Sequence, residues 1–144
     1  MSEFVSFEIA KKLKEKGFDR PCTYAYCEKG GWNKYKQVHE PITHILRTDG
    51  NPFGTFYTGK NWNIEYETNK NKIRCSAPTI SQVLKWLRER DIMVEIIPSL
   101  VDDGTWTFSF RIQTKKFYDR ATTDYTSYEL AALACIEYVL DNLI

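Results

Sequence analysis

The sequence predicts an α+β fold of three helices and an antiparallel sheet, with a C-terminal α-β-β-(β)-α unit. Three observations carry this expectation. Capping signals open helices near residues 6, 79 and 126. Apolar residues change from a helical to an alternating period between residues 22 and 76. The run from 79 to 144 orders helix, two or three strands, and helix. A chain of 144 residues suits one domain, 1–144, with sub-units 1–76 and 79–144 inside it.

Ser6 can cap the first helix, Phe7, Ala10 and Leu13 form a partial apolar stripe, and Gly17 supplies the left-handed position after its end. Phe18 then folds back on Leu13. Lys11, Lys12, Lys14 and Lys16 read as a solvated face. From Cys22 the period becomes two, with Cys22, Tyr24 and Tyr26 alternating with Thr23, Ala25 and Cys27 as a half-buried strand requires. A hairpin is expected from Phe53 to Thr58 and Trp62 to Thr68 around Gly59-Lys60-Asn61. Asp49-Gly50-Asn51-Pro52 and Asn69-Lys70-Asn71 are turn chemistry on either side. The middle of the chain therefore reads as an antiparallel meander.

The second helix opens with a capping box of Thr79 and Gln82, and Ile80, Val83, Leu84 and Leu87 follow the helical period. Strands are expected over Met93 to Pro98 and Thr105 to Thr114 across Asp102-Asp103-Gly104, with a weaker one near Phe117 and Tyr118. The last helix repeats the start signal with Thr126 as N-cap and Glu129 at N3. It is apolar nearly all round, from Tyr128 to Leu143, and reads as a central core element or a dimer interface. An offset of 74 residues aligns Ile9 with Val83, Leu13 with Leu87, Phe18 with Ile92 and Trp32 with Trp106. That match covers a helix and little else.

Composition limits the function classes. The net charge of +1 argues against a uniformly basic nucleic-acid binder and against an acidic tail. Up to Arg74 there are 13 basic and 9 acidic residues, and after it 7 and 10, a mild asymmetry. No stretch approaches the ~18 apolar residues of a spanning helix. Met1 to Ala10 lacks a basic run followed by an apolar one, so a cytoplasmic protein without membrane contact is expected. The four cysteines, Cys22, Cys27, Cys75 and Cys135, lack regular spacing and read as reduced structural thiols.

The series Cys22-x4-Cys27-x11-His39-x4-His44 has the ligand types and spacing of a two-Cys-two-His zinc finger. A strand through Cys22 to Cys27 holds the sulfurs on opposite faces and roughly 16 Å apart at ~3.3 Å per residue. Pro41 also interrupts the helix a finger needs between its histidines. No metal and no cofactor are expected. The only histidines are His39 and His44, and no nucleophile elbow, phosphate loop or H-E-x-x-H motif is present, so the reading leans against an enzyme. Asp102-Asp103 reads as a turn rather than a catalytic carboxylate pair. Lys29-Gly30-Gly31-Trp32-Asn33-Lys34-Tyr35-Lys36 interleaves cations with aromatics, as single-strand binders do, although a loop whose Trp32 packs on a sheet edge gives the same letters. Lys29, Trp32, Lys34, Tyr35 and Lys36 are the candidate partner or nucleic-acid contacts.

The runs VSFEIAKKLKEKGFDRPCTYAY, APTISQVLKWLRERDI and SYELAALACIEYVLDNLI resemble a family of small proteins found in gut Bacteroides genomes, their phages and mobile elements. That family has no assigned activity. The resemblance implies a bacterial cytoplasmic setting linked to a mobile element and transfers no functional residue. Separately, Thr79 to Ile144 resembles the double-stranded-RNA-binding domain in element order and length. In that family lysines at the start of the last helix grip phosphates; Tyr128 and Glu129 stand there after Ser127, which implies shared topology without duplex binding. The expectation is a non-catalytic accessory or protein-interaction module, with an unknown protein partner or a second copy of itself. Nine tyrosines and four tryptophans are more than one small core hides easily. The alternative is a nucleic-acid binder using the basic-aromatic loop.

Overall fold

The computed structural model of the chain describes residues 3–47, 61–63, 73–121 and 123–144. The expected strand Phe53 to Thr58, the remainder of the strand that starts at Trp62, and the turns at 49–52 and 69–71 lie outside the described residues. Within them, three helices and two three-stranded antiparallel sheets make the fold α+β. Contacts group the chain into two compact units, Ser6–Pro78 on one hand and Met1–Val5 with Thr79–Ile144 on the other. No helix among the described residues is long and apolar enough to cross a membrane.

In Ser6–Pro78, α1 (Phe7–Glu15) is followed by β1 (Tyr24–Asn33), β2 (Val38–Arg47) and β3 (Ile73–Ala77), in the sheet order β2-β1-β3. Both expected helix signals operate. The Ser6 hydroxyl accepts the Ile9 N–H at 3.3 Å. At the other end Gly17 sits at φ 86°, and the Phe18 N–H reaches back to the Leu13 carbonyl at 2.9 Å. This backbone stop brings Phe18 against Leu13, both 1% exposed, and burial of each side chain contributes about 1.5–3 kcal/mol. The lysine face is exposed at Lys11, Lys14 and Lys16, and Lys14 Nζ donates to the Arg74 carbonyl at 2.8 Å.

Two expectations are corrected here. The alternating strand begins at Tyr24 rather than Cys22, and Ala25, Tyr26 and Cys27 are all buried, so its start is covered on both faces. One face meets α1, where Phe7 contacts Tyr26 edge-on at 5.5 Å. Part of the other coverage comes from residues 61–63. There Trp62 and Asn63 form a turn instead of opening a strand, because Asn61 Oδ1 accepts the Asn63 N–H at 3.0 Å. The buried Trp62 indole donates to the Cys22 carbonyl at 2.7 Å, and its backbone N–H donates to Ser76 Oγ at 2.9 Å. Asn63 then donates to the Phe18 carbonyl and accepts from the Ser76 N–H, both at 2.8 Å. These bonds stitch the segment across the helix stop and β3, which an extended strand cannot do.

In the other unit, the chain around Phe4 bridges Thr79, and α2 (Ile80–Glu89), β4 (Met93–Leu100), β5 (Trp106–Gln113), β6 (Tyr118–Arg120) and α3 (Tyr128–Asn142) follow. The sheet order β4-β5-β6 and the element order α-β-β-β-α are those the sequence expectation named. The capping box forms in full: Gln82 N–H donates to Thr79 Oγ1 at 3.2 Å and Gln82 Oε1 accepts the Thr79 N–H at 2.9 Å. α2 and α3 pack on each other, and between them they cover β4 and β5. Val83, Leu87, Ile112, Ala131, Cys135, Ile136 and Val139 are completely buried in this core.

The cap of α3 is Ser127, one residue after the expected Thr126, with its hydroxyl accepting the Leu130 N–H at 3.1 Å. The cause is upstream: Tyr125 and Phe108 exchange two backbone bonds of 2.7 and 2.8 Å, which keep the chain extended up to that point. α3 buries one stripe, while Tyr128 and Leu130 stay exposed. The 74-residue offset extends to the helix stops, because Asp91 takes the left-handed role of Gly17 at φ 61° and the Ile92 N–H returns to the Leu87 carbonyl. It ends there, since the third strand pairs with β1 in one sheet and with β5 in the other.

Candidate functional site

The β1–β2 hairpin carries the candidate residues, and two glycines determine its course. The pairing passes from Lys29 opposite Thr43 to Gly31 opposite Glu40, so Pro41 and Ile42 together face Gly30 in a bulge. Gly30 adopts φ 103°, and a β-carbon there would collide with the Pro41 carbonyl oxygen, lying also 2.9 Å from its carbon and 3.2 Å from Ile42 Cα. Only glycine permits that approach. Pro41 has no N–H to leave unpaired at the bulge.

Beyond the bulge Trp32 and His39 are direct partners, with ring centroids 5.0 Å apart and planes tilted by 59°. Asn33 then shapes the turn. Its Oδ1 accepts the N–H groups of Tyr35 and Lys36 at 3.0 and 3.1 Å, and its Nδ2 donates to Glu40 Oε1 at 3.0 Å. One side chain thus closes the turn and holds a carboxylate across the hairpin. The result is a shallow, open depression lined by Gly30, Trp32, Asn33, Lys34, Tyr35 and Glu40. Trp32 is 58% exposed and Tyr35 88%, with Lys34 Nζ lying 5.3 Å from the Tyr35 ring centroid. Ile42, in the bulge, is 58% exposed.

Of the candidate residues, Trp32, Lys34 and Tyr35 come together in this depression, while Lys29 and Lys36 lie on the same hairpin outside its lining. The ligand chemistry is mixed: an indole and a phenol for stacking, one ammonium, one carboxylate and an amide. Trp32 does not pack its ring out of solvent on a sheet edge. From the sequence His39 reads only as a metal or catalytic candidate, and Glu40 carries no signal of its own. The available signal was Asn33, a residue that bonds its own backbone two positions on and so marks the turn that brings residues 39 and 40 back beside 31 and 32.

The remaining motif residues lie elsewhere. Cys22 and Cys27 are buried, and His44 stacks on Phe7 with centroids 3.7 Å apart and a 10° interplanar angle. Among the described residues no three of His, Cys, Asp or Glu stand where they could hold a metal ion. Burial pushes the Cys22 thiol up to about 11, partly countered by a hydrogen bond with Ser76. Burial likewise pushes Cys75 and Cys135 to about 12. Protonated thiols of this kind are weak nucleophiles. Asp103 closes the β4–β5 turn: its carboxyl is held below the usual carboxylate value by the Thr105 hydroxyl at 2.6 Å and then by the Thr105 N–H at 3.0 Å. Comparison of the chain with protein-family models, with curated proteins and with solved structures finds no match.

Proposed function

We propose that the chain is a non-catalytic protein-interaction module that contacts its partner through the tip of the β1–β2 hairpin. The supporting observation is that Trp32 and Tyr35 stay exposed on a tip whose shape is fixed by the Gly30 bulge and the Asn33 bonds. Exposed tryptophan and tyrosine on a preshaped surface are the residues that dominate protein interfaces, because they bring large area with little entropy to lose. The setting we attach to this reading is a bacterial cytoplasm, within the family of Bacteroides chromosomes, phages and mobile elements that the sequence runs resemble. The test is affinity capture from such a host with and without nuclease, using wild type and Trp32→Ala/Tyr35→Ala. A protein partner that survives nuclease and is lost with the double variant is expected; capture that ignores the substitution overturns the assignment.

A second reading rests on Lys29, Lys34 and Lys36, which lie near Trp32 in sequence on this hairpin, Lys34 in the same depression. Lysines interleaved with an exposed indole suit a single nucleic-acid strand, phosphates pairing with the lysines and a base stacking on the ring. Glu40 in the depression opposes it by repelling phosphate. Salt-sensitive binding of a short single strand, abolished by Trp32→Ala, would favour this reading over the first.

A further inference from the structure

The outer face of the β4-β5-β6 sheet carries a charge arrangement that the hairpin reading leaves unused. Along β5, Phe110 and Ile112 are buried, so the alternate residues Arg111 and Gln113 point to the opposite face. The pairing sets Glu95, Arg111 and Arg120 in one row across the three strands, and Met93, Gln113 and Tyr118 in the next. Glu95 forms an ion pair with Arg111. Arg120, directly opposite Arg111 on the other side, is exposed, and no carboxylate among the described residues pairs with its guanidinium. The neighbouring Asp119 turns one oxygen onto the Arg120 backbone N–H at 2.7 Å. Lys115 is committed to Asp91 at 3.3 Å.

Two arginines directly opposite each other across a strand pair are of like charge and repel, and the sheet gains nothing from holding them side by side. They become favourable when one anion spans both. We propose that Arg111 and Arg120 form an oxyanion site that takes a phosphomonoester group. The fork of each guanidinium presents paired N–H donors, and a tetrahedral group with three terminal oxygens engages two such forks at once, whereas a planar carboxylate fills one. Glu95 holds the Arg111 guanidinium from the β4 side and offsets part of its charge, so Arg120 supplies the unpaired cation of the site. Tyr118, 59% exposed in the adjoining row, offers a ring face to an organic body attached to the phosphate.

The test is a backbone-amide NMR titration of the full chain with inorganic phosphate, phenyl phosphate and acetate at constant ionic strength. Phosphate is expected to move the signals of Arg111, Tyr118 and Arg120, phenyl phosphate to bind more tightly, and acetate to have little effect. Arg120→Gln should weaken phosphate binding by about tenfold, the scale of one lost charge-assisted contact. Arg120→Glu should raise the urea midpoint in phosphate-free buffer, by giving Arg111 a second carboxylate, and remove the stabilisation that phosphate gives wild type. Both variants lie on an exposed three-residue strand, and their far-UV circular dichroism should match wild type. Unmoved signals, an equal response to acetate, or phosphate binding indifferent to Arg120→Gln overturns the site.

Discussion

Gly30 and Gly31 offer a paired test of how the hairpin tip is built. Both have positive φ, 103° and 88°, but an added β-carbon meets backbone only at Gly30, whereas Gly31 has no atom within 4 Å. Gly31→Ala therefore carries only the left-handed backbone cost, about 1 kcal/mol. Gly30→Ala adds a collision with the Pro41 and Ile42 backbone, which cannot rotate away, and overpacking of that kind costs a further ~1–3 kcal/mol. The expected loss is about 2–4 kcal/mol for Gly30→Ala, so the difference between the variants isolates the steric part. Urea unfolding followed by tryptophan fluorescence measures both, with the slope checked for constancy. Equal shifts in the two variants would refute the close approach of β1 to the bulge, and with it the account of how Trp32 is aimed.

Leu140, 1% exposed on α3, should not tolerate charge: Leu140→Asp is expected to destabilise by about 3–5 kcal/mol in urea unfolding, and Ala134→Asp by less because Ala134 is only half-buried. Stability should fall as pH rises from the ordinary thiol value of 9.0 towards about 12, because the unfolded chain releases thiol protons that buried Cys75 and Cys135 retain; a flat urea midpoint across that range contradicts it. Elemental analysis should find no stoichiometric zinc; about one zinc per chain, lost on mutating Cys22 and His44, would overturn the strand argument. Duplex RNA at low salt should not bind, since Tyr128 and Glu129 open α3; micromolar affinity falling steeply with added salt would show that other residues supply the phosphate contacts.

What the sequence made legible was local. Ser6, Gly17 and the Thr79-Gln82 box act within one helical turn, and each works as its residues dictate. Failures came where distant backbone intervened. Thr126 has the chemistry of an N-cap, but the bonds between Tyr125 and Phe108 hand the role to Ser127. Trp62 continues an alternating pattern, yet the carbonyls of Phe18 and Cys22 and the Ser76 side chain hold residues 62–63 in a turn. The candidate site divides in the same way. Trp32, Lys34 and Tyr35 are neighbours in sequence and were visible as a segment, whereas Glu40 joins them only through the register of β2. The Arg111–Arg120 pairing likewise depends on how a three-residue strand aligns, which residue type and spacing do not encode.

The Pro41 bulge also bears on how copies of this protein behave at high concentration. Among the described residues β2 lies at the end of its sheet, and Val38 and Ile42 are exposed along it. A straight apolar strand in that position would template addition of another chain, strand on strand, and grow into an aggregate. The extra residue at the bulge bends the strand where docking would have to continue. The bulge that aims the aromatic tip therefore also interrupts the hydrogen-bonding ladder, allowing the surface to stay sticky for side chains while resisting runaway stacking of backbones.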